Sequence, residues 1–153
     1  MEEIIIRKAL TTDIETLLRF EQGVITAEKP YDITIQDPPV RYYDLDIMFT
    51  SPDIELVVAT INGELIGCGY ARIENARLYL KHKQHAYLGF MYVEPHHRGK
   101  GVNQKIIETL KQWALSRNIT EMRLDVYYGN DFAIKAYEKV GFERHLIEMR
   151  LGI

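Results

Sequence analysis

The stretch EPHHRGKGVNQKII, residues 94–107, joins two kinds of chain. The residues before it, AYLGFMYV, form an apolar run of strand type with Gly89 inside it. After it, Val102, Ile106, Ile107, Leu110, Trp113 and Ala114 recur on one face of a helix that runs from about Gly101 to Arg117. Pro95 ends the strand ladder, and Gly99 and Gly101 let the chain turn sharply while presenting bare N–H groups. The first N–H groups of a helix lack internal partners and lie at the positive end of its dipole. With Arg98 and Lys100 beside them they make a cradle for a pyrophosphate or similar anion.

Working outward, EEIIIRKA is a compact β-branched strand and TTDIETLLRF a helix, with Thr12 and Glu15 at capping-box spacing. Residues 29–53 hold Pro30, Pro38, Pro39 and Pro52, so only VRYYDLDIMF leaves room for a short helix in a variable segment. IELVVAT and ELIGCGYARI flank Ile61-Asn62-Gly63. Asn-Gly between β-rich runs predicts a tight antiparallel hairpin, because both turn residues tolerate positive φ. Beyond the less regular NARLYLKHKQH come the strand and cradle, the helix, a strand TEMRLDV, a short helix NDFAIKAYEKV and terminal strands around GFERHLIEMRL. An antiparallel front half followed by a β-α-β-α-β back half predicts a single α/β domain over residues 1–153, with a mixed sheet flanked by helices.

Composition narrows the function. The chain has 153 residues, 46% hydrophobic and 27% charged, the length and make-up of one globular domain. No segment approaches the roughly 18 consecutive apolar residues of a membrane span, and MEEIIIRKAL has acids where a secretory signal carries positive charge. One cysteine, Cys68, cannot form an internal disulfide, which suits a reducing cytoplasm; in its strand it reads as a small core residue. A net charge of −3 argues against a general nucleic-acid binder. Between Glu28 and Glu55 stand seven acids (Glu28, Asp32, Asp37, Asp44, Asp46, Asp53, Glu55) and two bases (Lys29, Arg41). An acidic segment beside a slightly basic remainder fits an anionic ligand in one place and a cationic one in another, and equally fits a solvated surface.

Three cradles compete for residues 94–107. A P-loop needs G-x-x-x-x-G-K-[ST], which does not occur. A dinucleotide-binding turn uses Gly99-x-Gly101, but its third glycine position is Gln104, and only Asp125 stands at a suitable distance for a ribose. The third resembles the GNAT superfamily of acyl-CoA N-acyltransferases, whose strand-to-helix turn reads [RQ]-x-x-G-x-[GA]. Arg98, Gly99, Lys100, Gly101 and Val102 follow it, while Asn103 stands where that pattern has Gly or Ala; its amide would either crowd a pyrophosphate or donate to it. Downstream, GNDFAIKAYEKVGF is similar to the same family's second signature through Asn130, Ala133, Tyr137, Gly141 and Phe142. The resemblance covers roughly residues 54–153 in element order, while residues 1–53 match it only loosely as strand, helix and variable segment.

The resemblance implies a single GNAT-type domain, a mixed, mostly antiparallel twisted sheet with about four helices. It further implies an acetyl-CoA-dependent N-acetyltransferase that passes acetyl to a primary amine, on a small cationic molecule or a peptide, without a metal. The alternative is a catalytically silent acyl-CoA-binding module on the same fold; a homodimer is compatible with either. Main-chain groups of Met91, Tyr92 and Val93 would hold the pantetheine arm, with the phosphates on Arg98, Gly99, Lys100, Gly101, Val102 and Asn103, and Asn130 would open the last helix and also bind the cofactor. Tyr137 would be the general acid, since a phenol is protonated at neutral pH and can serve a departing thiolate. Ala133, Tyr137 and Gly141 would share a helical face that leaves space beside the phenol. A β-bulge near Gly89 would free an N–H for the thioester oxygen. Glu94, Asp125, Glu74 or a tyrosine, through water, remain open as the base. Tyr31, Tyr42 and Tyr43 with the acidic segment would receive the ammonium group. His82, His85, His96 and His97 lack the spacing and the cysteines of a closed metal site.

Overall fold

The computed structural model describes residues 2–153. Its elements are β1 (Ile4–Lys8), α1 (Ile14–Glu28), α2 (Leu45–Thr50), β2 (Ile54–Ile61), β3 (Glu64–Asn75), β4 (Gln84–Val93), α3 (Val102–Ser116), β5 (Met122–Arg123) and α4 (Asp131–Lys139), with short 3-10 turns at Thr11–Asp13, Lys29–Tyr31 and Pro95–His97. The five strands lie in the order β1-β2-β3-β4-β5, antiparallel except for the parallel pair β4 and β5. This is the α/β arrangement expected, one mixed and mostly antiparallel sheet with four helices. Asn62 and Gly63 make the predicted turn with φ of 50° and 81°.

Strand periodicity divides the core between the two faces of the sheet. In β2, Val57, Ala59 and Ile61 pack under α3 with Val102, Ile106, Ile107, Leu110 and Ala114; Leu56 and Val58 face the other way, against Leu17, Phe20 and Val24 of α1 and Leu45 and Met48 of α2. The apolar stripe of α3 is the one its sequence predicts, and Trp113 packs at its edge.

β4 breaks the period. Ala86 and Leu88 face α3 and Tyr87 faces α1, but past Gly89 the parity reverses: Phe90 and Tyr92 face α1, while Met91 and Val93 face α3. The cause is a bulge. Between Cys68↔Tyr92 and Tyr70↔Gly89, β4 carries one residue more than β3, and Phe90 takes φ of 52°. The bulge therefore lies one residue beyond the expected Gly89. Gly89 is a glycine for a different reason: a Cβ there would lie 2.5 Å from the Tyr70 hydroxyl. Phe90 tolerates a left-handed backbone because its ring is buried and stacks on Tyr43 at 4.3 Å, which offsets the strain. Cys68, fully buried below it, donates its thiol hydrogen to the Phe90 carbonyl at 3.3 Å.

Four expectations need correction. The Thr12–Glu15 capping box does not form. Asp13, buried and bound to both guanidinium nitrogens of Arg7, instead accepts the Leu10 N–H at 2.8 Å and closes the entry to α1. The strand TEMRLDV pairs only at Met122 and Arg123, and GFERHLIEMRL forms no strand, because a strand exists only against a partner and β5 offers its outer edge to nothing in this chain among the described residues. Gly141 lies outside α4 with φ of 109°, so it does not share a helical face with Ala133 and Tyr137.

Candidate active site

Divergence of two parallel strands creates the opening. β4 and β5 pair at Ala86↔Met122 and Tyr87↔Arg123, after which β4 continues to Val93 while residues 124–127 run on without a ladder. Beyond the last pair, Tyr87 donates its hydroxyl hydrogen to Asp125 at 3.1 Å across the fork. The main-chain amides of β4 from Leu88 onward thus have no strand beside them on this side among the described residues. Main-chain groups on that open side, which alternate with those that bond β3 along Met91, Tyr92 and Val93, pair readily with an extended amide-bearing ligand.

The open end of β4 leads to the cradle. Gly99 and Gly101 both adopt left-handed backbone, φ of 78° and 80°, and a Cβ added at either would meet no heavy atom within 4 Å. The first helical hydrogen bond of α3 runs from Lys105 N–H to the Gly101 carbonyl at 3.1 Å, and Gly101 brings no side-chain cap. The N–H groups ahead of Lys105 are therefore without an acceptor in the helix, the condition an anion satisfies. Val102 is buried in the core and offers only its main chain. Arg98 is turned back, donating to the Val93 carbonyl at 2.9 Å with its guanidinium 5.9 Å from the Tyr92 ring centroid, so it braces the loop; Lys100 is exposed and Asn103 half-buried. The residues fit a pyrophosphate held chiefly by backbone.

Tyr92 is wedged in place from below. Its ring packs on Phe20 at 4.8 Å, and a Cβ on Gly23 would come within 2.5 Å of it, which accounts for a glycine in the middle of α1 despite its low helix propensity.

Tyr137 reaches the fork from α4. Asn130 caps that helix, its side-chain oxygen accepting from Ala133 N–H at 3.2 Å. Tyr137 packs edge-on to Phe142 at 5.8 Å, against the core layer that holds Leu88, Val102 and Ile106. Burial, reinforced by the charge of Glu28, pushes its phenol up to about 12, so it is fully protonated at neutral pH.

Glu28 is the group that sequence reasoning missed. It ends α1, seven residues after Glu21 and hence on the same face. Glu21 is fully buried and accepts from Arg41 Nε at 2.6 Å, Tyr42 N–H at 2.9 Å and Tyr43 N–H at 2.7 Å, which pins residues 41–43 along the helix. That brings Tyr42 over Glu28. Burial raises the Glu28 carboxyl above the ordinary range, partly opposed by a hydrogen bond from Tyr42, whose own phenol is pushed up to about 12 by burial and by Glu28. Nearby, Tyr127 donates to Asp32 at 2.7 Å and stacks on Tyr31 at 6.4 Å. Hydrogen bonds from Thr34 and then from Tyr127 hold the Asp32 carboxyl below its usual range. Glu28, Tyr31, Asp32, Tyr42 and Tyr127 thus gather from three segments, with Tyr137 close enough to feel Glu28. The only sequence signal was the local excess of acids.

Other expected residues have separate duties. Tyr43 is core. Asp44 caps α2 by accepting from Ile47 N–H at 3.2 Å; with Asp46 it lines a surface groove of about 410 Å³ shared with Ile14, Leu18, Arg41, Tyr43 and Leu45. Among the suggested bases, Glu94 pairs with Arg19 and Tyr92, Glu74 with Arg72 and His85, and Asp125 with Tyr87. Among the described residues no group of three or more His, Cys, Asp or Glu side chains could hold a metal ion, and no helix is long and apolar enough to cross a membrane.

Comparison with known proteins agrees with this geometry. Residues 20–142 match the acetyltransferase (GNAT) family. Thialysine N-epsilon-acetyltransferase of Sus scrofa is 27% identical over 155 residues, covering 92% of this chain and 85% of that protein. A 46-residue segment is 48% identical to streptothricin acetyltransferase of Escherichia coli, 30% of this chain but only 26% of that protein. A predicted acetyltransferase of Clostridium acetobutylicum, solved with acetyl-CoA, shares the fold at a TM-score of 0.76 and 20% identity, covering 98% of this chain and 96% of that one. Since the family match spans most of the sequence and includes the bulged strand, the helix start and Tyr137, the chain belongs to the acetyltransferase (GNAT) family.

Proposed function

We propose that this protein is an acetyl-CoA-dependent N-acetyltransferase whose acceptor is a primary amine on a small cationic molecule or a peptide. The reading is carried by the open end of β4 leading to the α3 cradle, with the protonated phenol of Tyr137 packed on the same core layer and within range of the charge of Glu28, whose own carboxyl burial raises. Two titratable groups with separated proton affinities are what acid–base chemistry on an amine and a thiolate needs. The relatives add weight, one being named for an ε-amino nitrogen.

When bound, acetyl-CoA supplies an acyl group activated as a thioester. The chain's own residues do the rest. The N–H groups at the start of α3, from Gly99 to Asn103, bind the pyrophosphate, and the β4 main chain at Met91, Tyr92 and Val93 aligns the pantetheine arm; Asn130 fixes the start of α4 and so the place of Tyr137 beside it. A main-chain N–H at the β4 bulge faces the negative charge that builds on the thioester oxygen. Glu28 takes a proton from the incoming ammonium, directly or through water, and Tyr31, Asp32, Tyr42 and Tyr127 hold the cation by carboxylate attraction and by contact with ring faces. Tyr137 gives its proton to the departing thiolate and recovers one from the amine nitrogen, which carries a positive charge and one proton too many once it has bonded to the acyl carbon. A pKa of about 12 makes it a weaker acid than an exposed phenol, which the positive end of α3 and that charged nitrogen offset by favouring the phenolate.

The test is release of free CoA thiol from acetyl-CoA across a panel of amines, with Tyr137→Phe alongside. Turnover of amines by the natural protein, lost in the variant while acetyl-CoA binding persists, supports the reading. Acetyl-CoA binding without turnover of any amine would make the protein a silent acyl-CoA-binding module, and binding of neither acetyl-CoA nor CoA would remove both readings.

A further inference from the structure

Phe90 is a strained point of the sheet. A bulky side chain on a left-handed backbone is rare, and such a conformation persists only where its surroundings hold it from several directions. The ladder is interrupted there, between Cys68↔Tyr92 and Tyr70↔Gly89, so side chains do the holding. Three of them, all on the α1 face, converge on the bulge. The Tyr43 ring stacks on the Phe90 ring at 4.3 Å with 18° between the planes, and the Cys68 thiol donates to the Phe90 carbonyl at 3.3 Å. The Tyr70 hydroxyl occupies the space over Gly89, and its ring meets that of Tyr43 edge-on at 6.0 Å.

Cys68 and Tyr70 belong to β3, whereas Tyr43 comes from outside the sheet. It is anchored on both sides. Its N–H donates to the buried Glu21 carboxylate at 2.7 Å, and the next residue, Asp44, caps α2, whose Leu45 and Met48 are buried in the same layer as Phe90. In a close-packed layer, a ring fixed in this way decides where the stacked Phe90 ring and its backbone lie.

We propose that Tyr43 is a positioning residue for acetyl transfer: its ring, with the Cys68 thiol behind, holds the β4 bulge in the geometry that turns a main-chain N–H toward the carbonyl oxygen of the thioester. The proposal rests on the acetyltransferase reading and adds to it the side chains that aim the donor. In this role Tyr43 touches neither ligand, and no bond is made or broken at it. What it controls is alignment, and misplacing such a donor by about 1 Å can cost on the order of a hundredfold in rate.

Difference infrared spectroscopy of bound acetyl-CoA carrying carbon-13 at the acetyl carbonyl tests this whatever the amine is. In the natural protein the carbonyl band should lie below that of free acetyl-CoA, because an aimed N–H polarises the carbonyl. Tyr43→Leu, which removes the stack and keeps an apolar side chain, should return the band most of the way to its free position while the Kd of acetyl-CoA stays close to the natural value. Tyr43→Phe keeps the stack and should keep most of the displacement. With any amine that turns over, Tyr43→Leu should lower kcat by about ten- to a hundredfold and leave amine KM near its natural value. Should Tyr43→Leu fail to fold, Cys68→Ala decides in its place: losing the thiol's bond to the Phe90 carbonyl should move the band part of the way, and Cys68→Ser, which retains a donor, should not. A band displaced in the natural protein and unmoved by the deciding variant overturns the proposal alone. So does a bound carbonyl with no displacement in the natural protein, or a loss of acetyl-CoA binding in Tyr43→Leu as large as its loss of kcat. Failure of the natural protein to bind acetyl-CoA overturns the acetyltransferase reading, and this proposal with it.

Discussion

The two sides of the fork are built in opposite ways. The proposed cofactor side comes from one continuous run, residues 87–105, and would act mainly through main chain: the bulge at Phe90, the open side of β4 and the N–H groups at the start of α3. The proposed acceptor side is assembled from side chains far apart in sequence, Glu28 at the end of α1 with Tyr31 and Asp32 after it, Tyr42 before α2, Tyr127 after β5 and Tyr137 on α4. A backbone site depends on turn geometry, which glycines and a proline announce. A side-chain site depends on packing, and here one buried carboxylate, Glu21, holds the strap that brings Tyr42 to Glu28.

The contrast can be broken experimentally, and the largest effect is expected at the junction of the two sides. Tyr137→Phe should lower kcat by about 10²–10⁴ with little change in the Kd of acetyl-CoA, because it removes a proton donor and leaves the cradle intact. A parallel loss of cofactor binding would move Tyr137 from acid to structural support.

Glu28→Gln should reduce kcat/KM for amines by about 10² and displace the acid limb of its pH profile. Stability should move the other way. The Glu28 carboxyl has a raised pKa in the folded chain, so its favourable contribution is full below the unfolded value and is lost as pH rises through the folded one. At pH 7.5 the glutamine variant is thus expected to melt no lower than the natural protein. A lower Tm with unchanged kinetics would make Glu28 structural and dissolve the acceptor side as described.

Glu21→Ala leaves the Arg41 guanidinium and the N–H groups of Tyr42 and Tyr43 without their carboxylate, a cost of about 2–3 kcal/mol in chemical unfolding. Its kinetic effect should fall on amine KM while acetyl-CoA binding is kept. Smallest is Gly101→Ala, which places a side chain at φ of 80° for roughly 1–2 kcal/mol. Its kinetic signature should be the mirror image, weaker acetyl-CoA binding with amine KM unchanged. If both variants shifted both ligands equally, the two sides would not be separable.

Much of this was legible before any coordinates. The Asn62-Gly63 hairpin, the α3 stripe and the turn at Gly99 and Gly101 are local events, each decided by a few adjacent residues whose backbone preferences point the same way. The bulge was legible only to within a residue. Gly89 drew attention because glycine is permissive, whereas the residue that takes the positive φ is Phe90, clamped by a tyrosine 47 positions earlier. Asp44 shows the converse, an acid read as a ligand for the amine that is spent on capping α2.

By itself, then, the sequence determined the order of elements from β1 to α4, the glycine turn ahead of α3 and the family signatures, because these depend on short-range backbone chemistry and on periodicity. Only the tertiary structure decided which carboxylate stands near Tyr137, that Asp13 and not Thr12 closes the start of α1, and that the strand-like residues after Phe142 find no place in their own sheet. Those outcomes turn on burial and on whether a partner lies within reach, and both are properties of the packed chain that no local stretch of residues contains.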